Sequence, residues 1–395
     1  MPHPHVIVIG AGPGGLCLAN GLRRQGVSVA VYESDDSPNS RHQGYRLHID
    51  DDGDRALART LPPALHELFL ATAEVLPGRT PVYDDRLALR TILEPPGALH
   101  LAVDRLTLRE ILLAGVTDLV AFGRRLTGYT TGADGRVTAR FSDGTTATGD
   151  VLVAADGVNS VIRRQYLPHA RIADTGLRQI YGKVPLTART RELFPEEMLA
   201  VFTPIIGPDG SYVGVGSVRF PEPPARAAAR IAAGARLTDV RDYVSCSYGV
   251  RRELLPCSDD ELRAMPGEDL RALTLKMISG WNPRIRTMIE HWDPATVFPL
   301  SLRTSVPVAP WPATNVTLLG DAVHAMSPAA GVGANTALRD ASALAEALGE
   351  VARGEPAVQA LARYEAAMTE YGFAAVRTSA ENGHRLLGQD PLPAG

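Results

Sequence analysis

Residues 5–15 read His5-Val-Ile-Val-Ile-Gly10-Ala-Gly12-Pro-Gly14-Gly15. Four β-branched residues in succession suit a strand buried on both faces. Leu16, Leu18, Ala19 and Leu22 follow at helical spacing, Gly26 ends the helix, and a second apolar run over 27–32 stops at Glu33. The segment therefore predicts a β-α-β unit with G-x-G-x-x-G in its first turn, a dinucleotide-binding pattern. Gly10 permits the tight turn, Gly12 lets the backbone approach a pyrophosphate, and Gly15 lets helix and strand pack closely. The helix start offers unpaired N–H groups to phosphates. Glu33, at the end of the second strand, is placed to accept hydrogen bonds from an adenosine ribose. The pattern alone leaves FAD and NAD unseparated.

Two later stretches narrow the choice. Residues 150–164 form an apolar run into Asp156-Gly157 and then a helix. Residues 316–344 run from an apolar strand through Gly320-Asp321 to a loop holding Pro328, Gly331 and Gly333, then Ala334, Asn335 and a helix. In the order G-x-G-x-x-G, basic residue, D-G, G-D, the chain resembles the single-component FAD-dependent aromatic hydroxylases of the para-hydroxybenzoate hydroxylase fold. It is similar to the tetracycline-inactivating and salicylate-type monooxygenases among them, and the resemblance covers nearly the whole chain.

That resemblance implies an α/β fold: a Rossmann-like FAD-binding domain (1–177 and 304–345), an inserted mixed β-sheet substrate domain (178–303) and a C-terminal helical segment (346–395). It implies FAD contacts from Gly10, Gly12, Gly14, Gly15, Glu33, Arg41, Arg105, Asp156, Gly320, Asp321, Pro328, Gly331, Gly333, Ala334 and Asn335. Glu33 would bind the adenosine ribose and Asp321 the ribityl chain. Residues 328–335 would wrap the flavin ring, with a helix N-terminus beside its anionic edge. Arg109 is a second basic candidate, set against a solvated helix position. His324 is expected to be architectural, since no placed nucleophile accompanies it.

The implied cofactors are bound FAD, transient NADPH or NADH, and O2, with oxygen delivered from a flavin C4a-hydroperoxide. No catalytic side chain can be named, because the flavin carries the chemistry. Substrate candidates are Arg46, His48, Tyr181, Phe202, Tyr212 and Arg219, with Val215 and the 297–303 stretch as further wall positions. Expected strands in the inserted layer are 179–186, 199–206 and 212–220, with 237–244 starting a strand or helix and helices over 259–265 and 270–278. Ser142-Asp143-Gly144 predicts a hairpin between flanking alternating segments. Two helices are expected near the end, from 340 to 351 and from 356 to about 387.

Composition is that of a globular protein: 45% apolar residues, 21% charged, formal net charge −4. Nothing in that balance points to nucleic acid. No stretch approaches the length of a membrane span, and the three cysteines lack metal-ligand spacing. The expectation is a cytoplasmic enzyme without a metal, a monomer or homodimer acting on a small aromatic molecule. Flavin halogenases depart from this chain, whose first lysine is Lys183 and whose tryptophans stand apart. An FAD oxidase or reductase on the same fold, and a non-enzymatic flavin binder, are the alternatives.

Overall fold

The computed structural model describes residues 4–38, 40 and 45–393. The opening segment folds as expected: β1 (His5–Ile9), α1 (Pro13–Arg24) and β2 (Ser28–Tyr32). Both strands join a five-stranded parallel sheet in the order Val316–Leu318, Val151–Ala154, β1, β2, Val120–Ala121. Val6, Ile7 and Val8 have no exposed surface, which is why an unbroken β-branched run is tolerated there. The Gly10 loop, Asp156 and Gly320 all follow the carboxyl ends of neighbouring strands of this sheet. Open α/β sheets bind their ligands at that edge. A three-stranded meander, Leu126–Thr131, Val137–Phe141 and Thr146–Gly149, contains the expected Asp-Gly hairpin.

The second body is a seven-stranded mixed sheet in the order Phe298–Ser305, Ile172–Pro185, Tyr243–Arg251, Tyr212–Val218, Thr203–Ile206, Thr80–Asp84, Leu89–Leu93. Thr203–Ile206 and Thr80–Asp84 pair in parallel. Two of the seven strands thus come from residues 80–93, well before the inserted layer. The division at 177/178 falls within a single strand, and that at 345/346 within the helix Gly333–Ala352. One face of this sheet packs Ile180, Val184, Val213, Val215, Val244, Cys246, Tyr248 and Val250 against Trp292 and the helices between 259 and 290. Val215 is therefore core and not a wall of the site.

Three local expectations change. Residues 199–202 follow a 3-10 turn and are not strand, which begins only at Thr203. Residues 237–242 are a loop, pinned where Thr238 donates to the Glu110 carboxylate, and the strand begins at Tyr243. The helix anticipated from 340 begins at Gly333. The final helix, Ala357–Leu387, runs unbroken through Gly372, where a Cβ would sit 2.6 Å from the His324 ring.

That last helix buries Glu365, 5% exposed, whose Oε1 accepts from Thr317 Oγ1 at 2.7 Å while Oε2 has no partner. Burial pushes its carboxyl up to about 7 against the opposing Thr317 hydrogen bond. An acid raised in the folded state loses stability as pH climbs from the ordinary carboxyl range to that value, and the loss is constant above it. Glu365→Gln is expected to add up to about 3 kcal/mol at pH 8 and to flatten the pH dependence of the melting temperature between pH 5 and 7. Thermal melts of both proteins across that range check this.

Candidate active site

The glycine loop has the backbone geometry that the three expected glycine roles require. Gly10 has φ 109°, and a Cβ there would sit 2.3 Å from Ala155 O. A Cβ on Gly15 would lie 2.1 Å from Gly10 O, so helix and loop meet only because it is absent. A Cβ on Gly12 would meet nothing within 4 Å: its backbone faces open space. Gly14 packs on Leu319 and Ala337, joining α1 to the helix Gly333–Ala352. The α1 start has no capping side chain and no acid in its first turn, which suits an anion.

Glu33 is buried at the end of β2. Its carboxylate accepts from Ala11 N at 2.8 Å and Asp35 N at 3.0 Å, tying the glycine loop to the strand end. Burial would raise its pKa, but those N–H groups and the Arg109 guanidinium hold it below the usual carboxylate range. Each oxygen retains acceptor capacity for a sugar hydroxyl. Arg109 is no solvated helix residue. It is 1% exposed, donates from Nε to Ala11 O and from Nη1 to Pro38 O, and lies 3.6 Å from Glu33. Arg41 lies outside the described residues.

The opposite wall comes from the Gly-Asp segment. Asp321 is exposed, yet burial within the protein raises its carboxyl pKa, with His324 and Arg105 opposing the rise. Asp321 follows Gly320 at the carboxyl end of its strand, on the same sheet edge as the Gly10 loop and Asp156. Arg105 stands over the Tyr45 ring at 5.1 Å. Gly320 is held in place by Asp340, whose Oδ2 accepts from Gly320 N at 2.8 Å and from His324 Nε2 at 2.6 Å. Tyr371 OH donates to the other oxygen at 2.7 Å. His324 is thus architectural, as expected. Asp156 donates nothing: its Oδ2 accepts from Val161 N, its buried Oδ1 has no partner, and burial raises its pKa.

Pro328, exposed, opens a short turn to Gly331, which has φ 67°. Gly333 and Ala334 begin a 20-residue helix with no side-chain cap, so their N–H groups are open toward the cleft. The Asn335 side chain is 2% exposed and clamps the neighbouring strand, accepting from Asp50 N and donating to His48 O. These groups fit a flavin dinucleotide: an uncapped helix start and open glycine backbone at one end, a desolvated carboxylate and a second uncapped helix start at the other.

The seven-stranded sheet turns its other face toward this cleft. Gly214, Gly216, Ser245, Ser247 and Gly249 alternate with the core positions, so small residues occupy its centre. Phe202 lies over Gly214 and Tyr212 over Gly249, filling the space of the absent Cβ atoms. Tyr181 and Phe298 pack at 5.2 Å, and Tyr212 clusters with Leu302 and Ala329 of the flavin-side loop. Tyr212 OH is buried without a partner.

The candidate cations on this face are already engaged. Arg46 donates to Ser217 O and Val201 O, and its own N–H bonds Tyr181 OH. Arg219 is paired with Glu74 and Glu196. Both brace one body against the other and do not reach into the cleft as free charges. His48 does lie at the cleft, against Gly331. Sequence reasoning missed Asp104, which caps the helix at Thr107 N and also takes Tyr243 OH at 2.9 Å and Lys183 Nζ at 3.3 Å. An aspartate just before Arg-Leu-Thr-Leu is a cap signal, but its partners lie on a distant strand.

The comparisons agree with this geometry. Residues 294–379 match the model of an FAD binding domain, and residues 8–59 that of an NAD(P)-binding Rossmann-like domain. Over 411 aligned residues the chain is 34% identical to the dual O-methyltransferase/FAD-dependent monooxygenase CTB3 of Cercospora beticola, covering 98% of this chain and 47% of that protein. The chain thus spans about half the length of that relative. A Photorhabdus luminescens structure assigned as an FAD-containing monooxygenase is 32% identical, with TM-score 0.84, covering 97% of this chain and 98% of that one. The Klebsiella pneumoniae HpxO structure complexed with FAD and uric acid is 25% identical, with TM-score 0.78, covering 98% and 90%. Among the described residues no helix is long and apolar enough to cross a membrane. With a Rossmann-like sheet, a separate mixed sheet, and a relative of near-equal length at 32% identity, the chain belongs to the FAD-dependent monooxygenases.

Proposed function

We propose that the chain hydroxylates a small aromatic or polyketide-type molecule, using FAD, NADPH or NADH, and O2. The observation that carries this reading is that the Gly10 loop, Asp156 and Gly320 follow neighbouring strands at one sheet edge, while Tyr212 on the small-residue face of the second sheet packs with Ala329 of the loop beyond Asp321. Bound FAD supplies the redox and oxygen-activating chemistry. The chain's own residues bind and orient. Gly12 and the α1 start face the diphosphate, Glu33 the adenosine ribose, and Asp321 with Arg105 the ribityl region. Gly331, Gly333 and Ala334 present backbone N–H groups to the flavin's pyrimidine edge, where a helix start favours negative charge. Asp156 shapes the strand end beside them. Phe202, Tyr181, Tyr212 and Phe298 wall the substrate space with rings and keep it dry. All three cysteines are free, which fits a reducing, cytoplasmic setting.

The test is oxygen uptake by FAD-loaded protein with NADPH or NADH, against a panel of phenols, anthraquinones and tetracyclines. Uptake stimulated by one compound, with an oxygenated product, is the expected result. Peroxide as the sole product throughout would favour an oxidase, and no uptake with any compound would overturn the reading.

A further inference from the structure

The strand Leu89–Leu93 is the outer edge of the seven-stranded sheet, and all five of its residues are exposed. Leu89 is 51% exposed, Ile92 50% and Leu93 36%. Three of the eight large apolar side chains exposed among the described residues therefore fall in this one strand. Natural edges are ordinarily blunted by lysine, by inward-pointing charge or by a covering element, because an open edge templates pairing with another chain. Among the described residues no further strand pairs with this one. The ladder to Thr80–Asp84 has one irregularity, at Arg90: Val82 faces Thr91, and Tyr83 faces Leu89.

The phase of that ladder shows which backbone groups face outward. In an antiparallel pair a residue either bonds its opposite or turns its N–H and C=O to the other side. Asp85 N donates to Ile206 O, and Arg79 O accepts from Val201 N. The odd-numbered residues from 79 to 85 thus bond the inner neighbour. Pro81 is one of them, has no N–H to give the hairpin, and lies opposite Ile92. Ile92 therefore turns its own N–H and C=O toward the free edge.

We propose that the strand Leu89–Leu93 is the interface of a homodimer. A second copy adds the same strand antiparallel, across a two-fold axis at Ile92, and the two seven-stranded sheets become one. Charge favours this occupant. Arg90 and Glu94 lie two residues to either side of Ile92. The axis sets each Arg90 beside the copy's Glu94, whereas a parallel arrangement would set like charges together. Arg90 is already steadied at the edge by Asp84, with Nε 3.0 Å from Oδ2. The same axis brings Leu89, Ile92 and Leu93 of both copies out of water. Beside the hairpin an open cavity of about 330 Å³, bordered by Val82, Tyr83, Arg90, Ile206 and Pro208, has room for apolar side chains of the copy. A two-fold pairing uses up both edges, so the assembly closes at two chains. None of the residues assigned to the cleft lies between 80 and 94, so assembly and chemistry are separable.

Sedimentation equilibrium of the FAD-loaded protein tests this, and a dimer is expected. Ile92→Lys sets two ammonium groups on the axis and should raise the dimer Kd about 100-fold, with flavin occupancy and melting temperature unchanged. Arg90→Glu should raise it about tenfold, and combining it with Glu94→Arg should restore dimerisation. Ile92→Cys should cross-link to a dimer on mild oxidation, beyond any seen with the native chain. Opposed Cα atoms in a bonded antiparallel pair lie about 5.5 Å apart, within reach of a disulfide. A monomer at every concentration, or a dimer that survives Ile92→Lys, overturns the interface. A paired charge swap that does not restore the dimer, or an Ile92→Cys protein that does not cross-link, overturns the antiparallel two-fold arrangement.

Discussion

Replacing Asp340 with alanine is expected to cost about 3–5 kcal/mol of stability, the range for removing one partner from a buried charged pair. Asp340 has no exposed surface and satisfies three donors at once: Gly320 N, His324 Nε2 and Tyr371 OH. Alanine leaves all three in the interior without an acceptor. The effect should depend on pH. Burial alone would lower the His324 pKa, but Asp340 overcomes it and raises the histidine above its ordinary value. A raised histidine contributes its full stability below its unfolded pKa and loses it as pH rises through the folded value. The native protein should therefore soften from about pH 6.5 upward, and the Asp340→Ala protein should show no such slope. Because Asp340 holds Gly320, flavin occupancy should fall with stability. Chemical denaturation at pH 6 and pH 9 checks the first claim, and the flavin-to-protein absorbance ratio checks the second.

Asp321→Ala, one residue beyond Gly320, is expected to behave in the opposite way. Asp321 is a desolvated carboxylate whose removal relieves a cost, so the apoprotein should melt at the same temperature or higher. FAD affinity should fall about 10- to 100-fold, the equivalent of a lost hydrogen bond to a charged group. Titration of the apoprotein with FAD, followed by flavin fluorescence, measures it. Full flavin retention after gel filtration would remove Asp321 from the site. The two variants are thus expected to separate: Asp340 holds Gly320 in place, whereas the Asp321 substitution is expected to change FAD affinity alone.

Local sequence made the first body readable. The β1-α1-β2 unit, the Asp-Gly hairpin and the Gly-Asp loop each carry their signal within a dozen residues. Residues 45–104 were harder to read, because their strands are short and are split between two sheets: Arg46–Ile49 pairs with Leu101–Asp104, while Thr80–Asp84 joins Thr203–Ile206. Arg219 looks like a substrate anchor until Glu74, 145 residues earlier, is seen to hold it. Lys183 is committed to Asp104, 79 residues away. Arg109 sits on a helix face that spacing alone reads as ordinary, and only the folded Glu33 loop shows that it is buried. The candidate cofactor residues could be named because backbone geometry constrains their type. The substrate face resisted because its glycines and serines are informative only once the rings covering them are known.

The hairpin at 80–93 has a consequence for engineering the chain. Its strand Thr80–Asp84 covers the flank of Thr203–Ile206, so residues 178–303 moved alone onto another scaffold would carry an open strand edge. Such a graft invites edge-to-edge aggregation, with Leu89, Ile92 and Leu93 left behind on the donor. Exchange of substrate preference between relatives is therefore expected to succeed when the two segments travel together, and to yield insoluble chimeras when the cut follows the linear boundary.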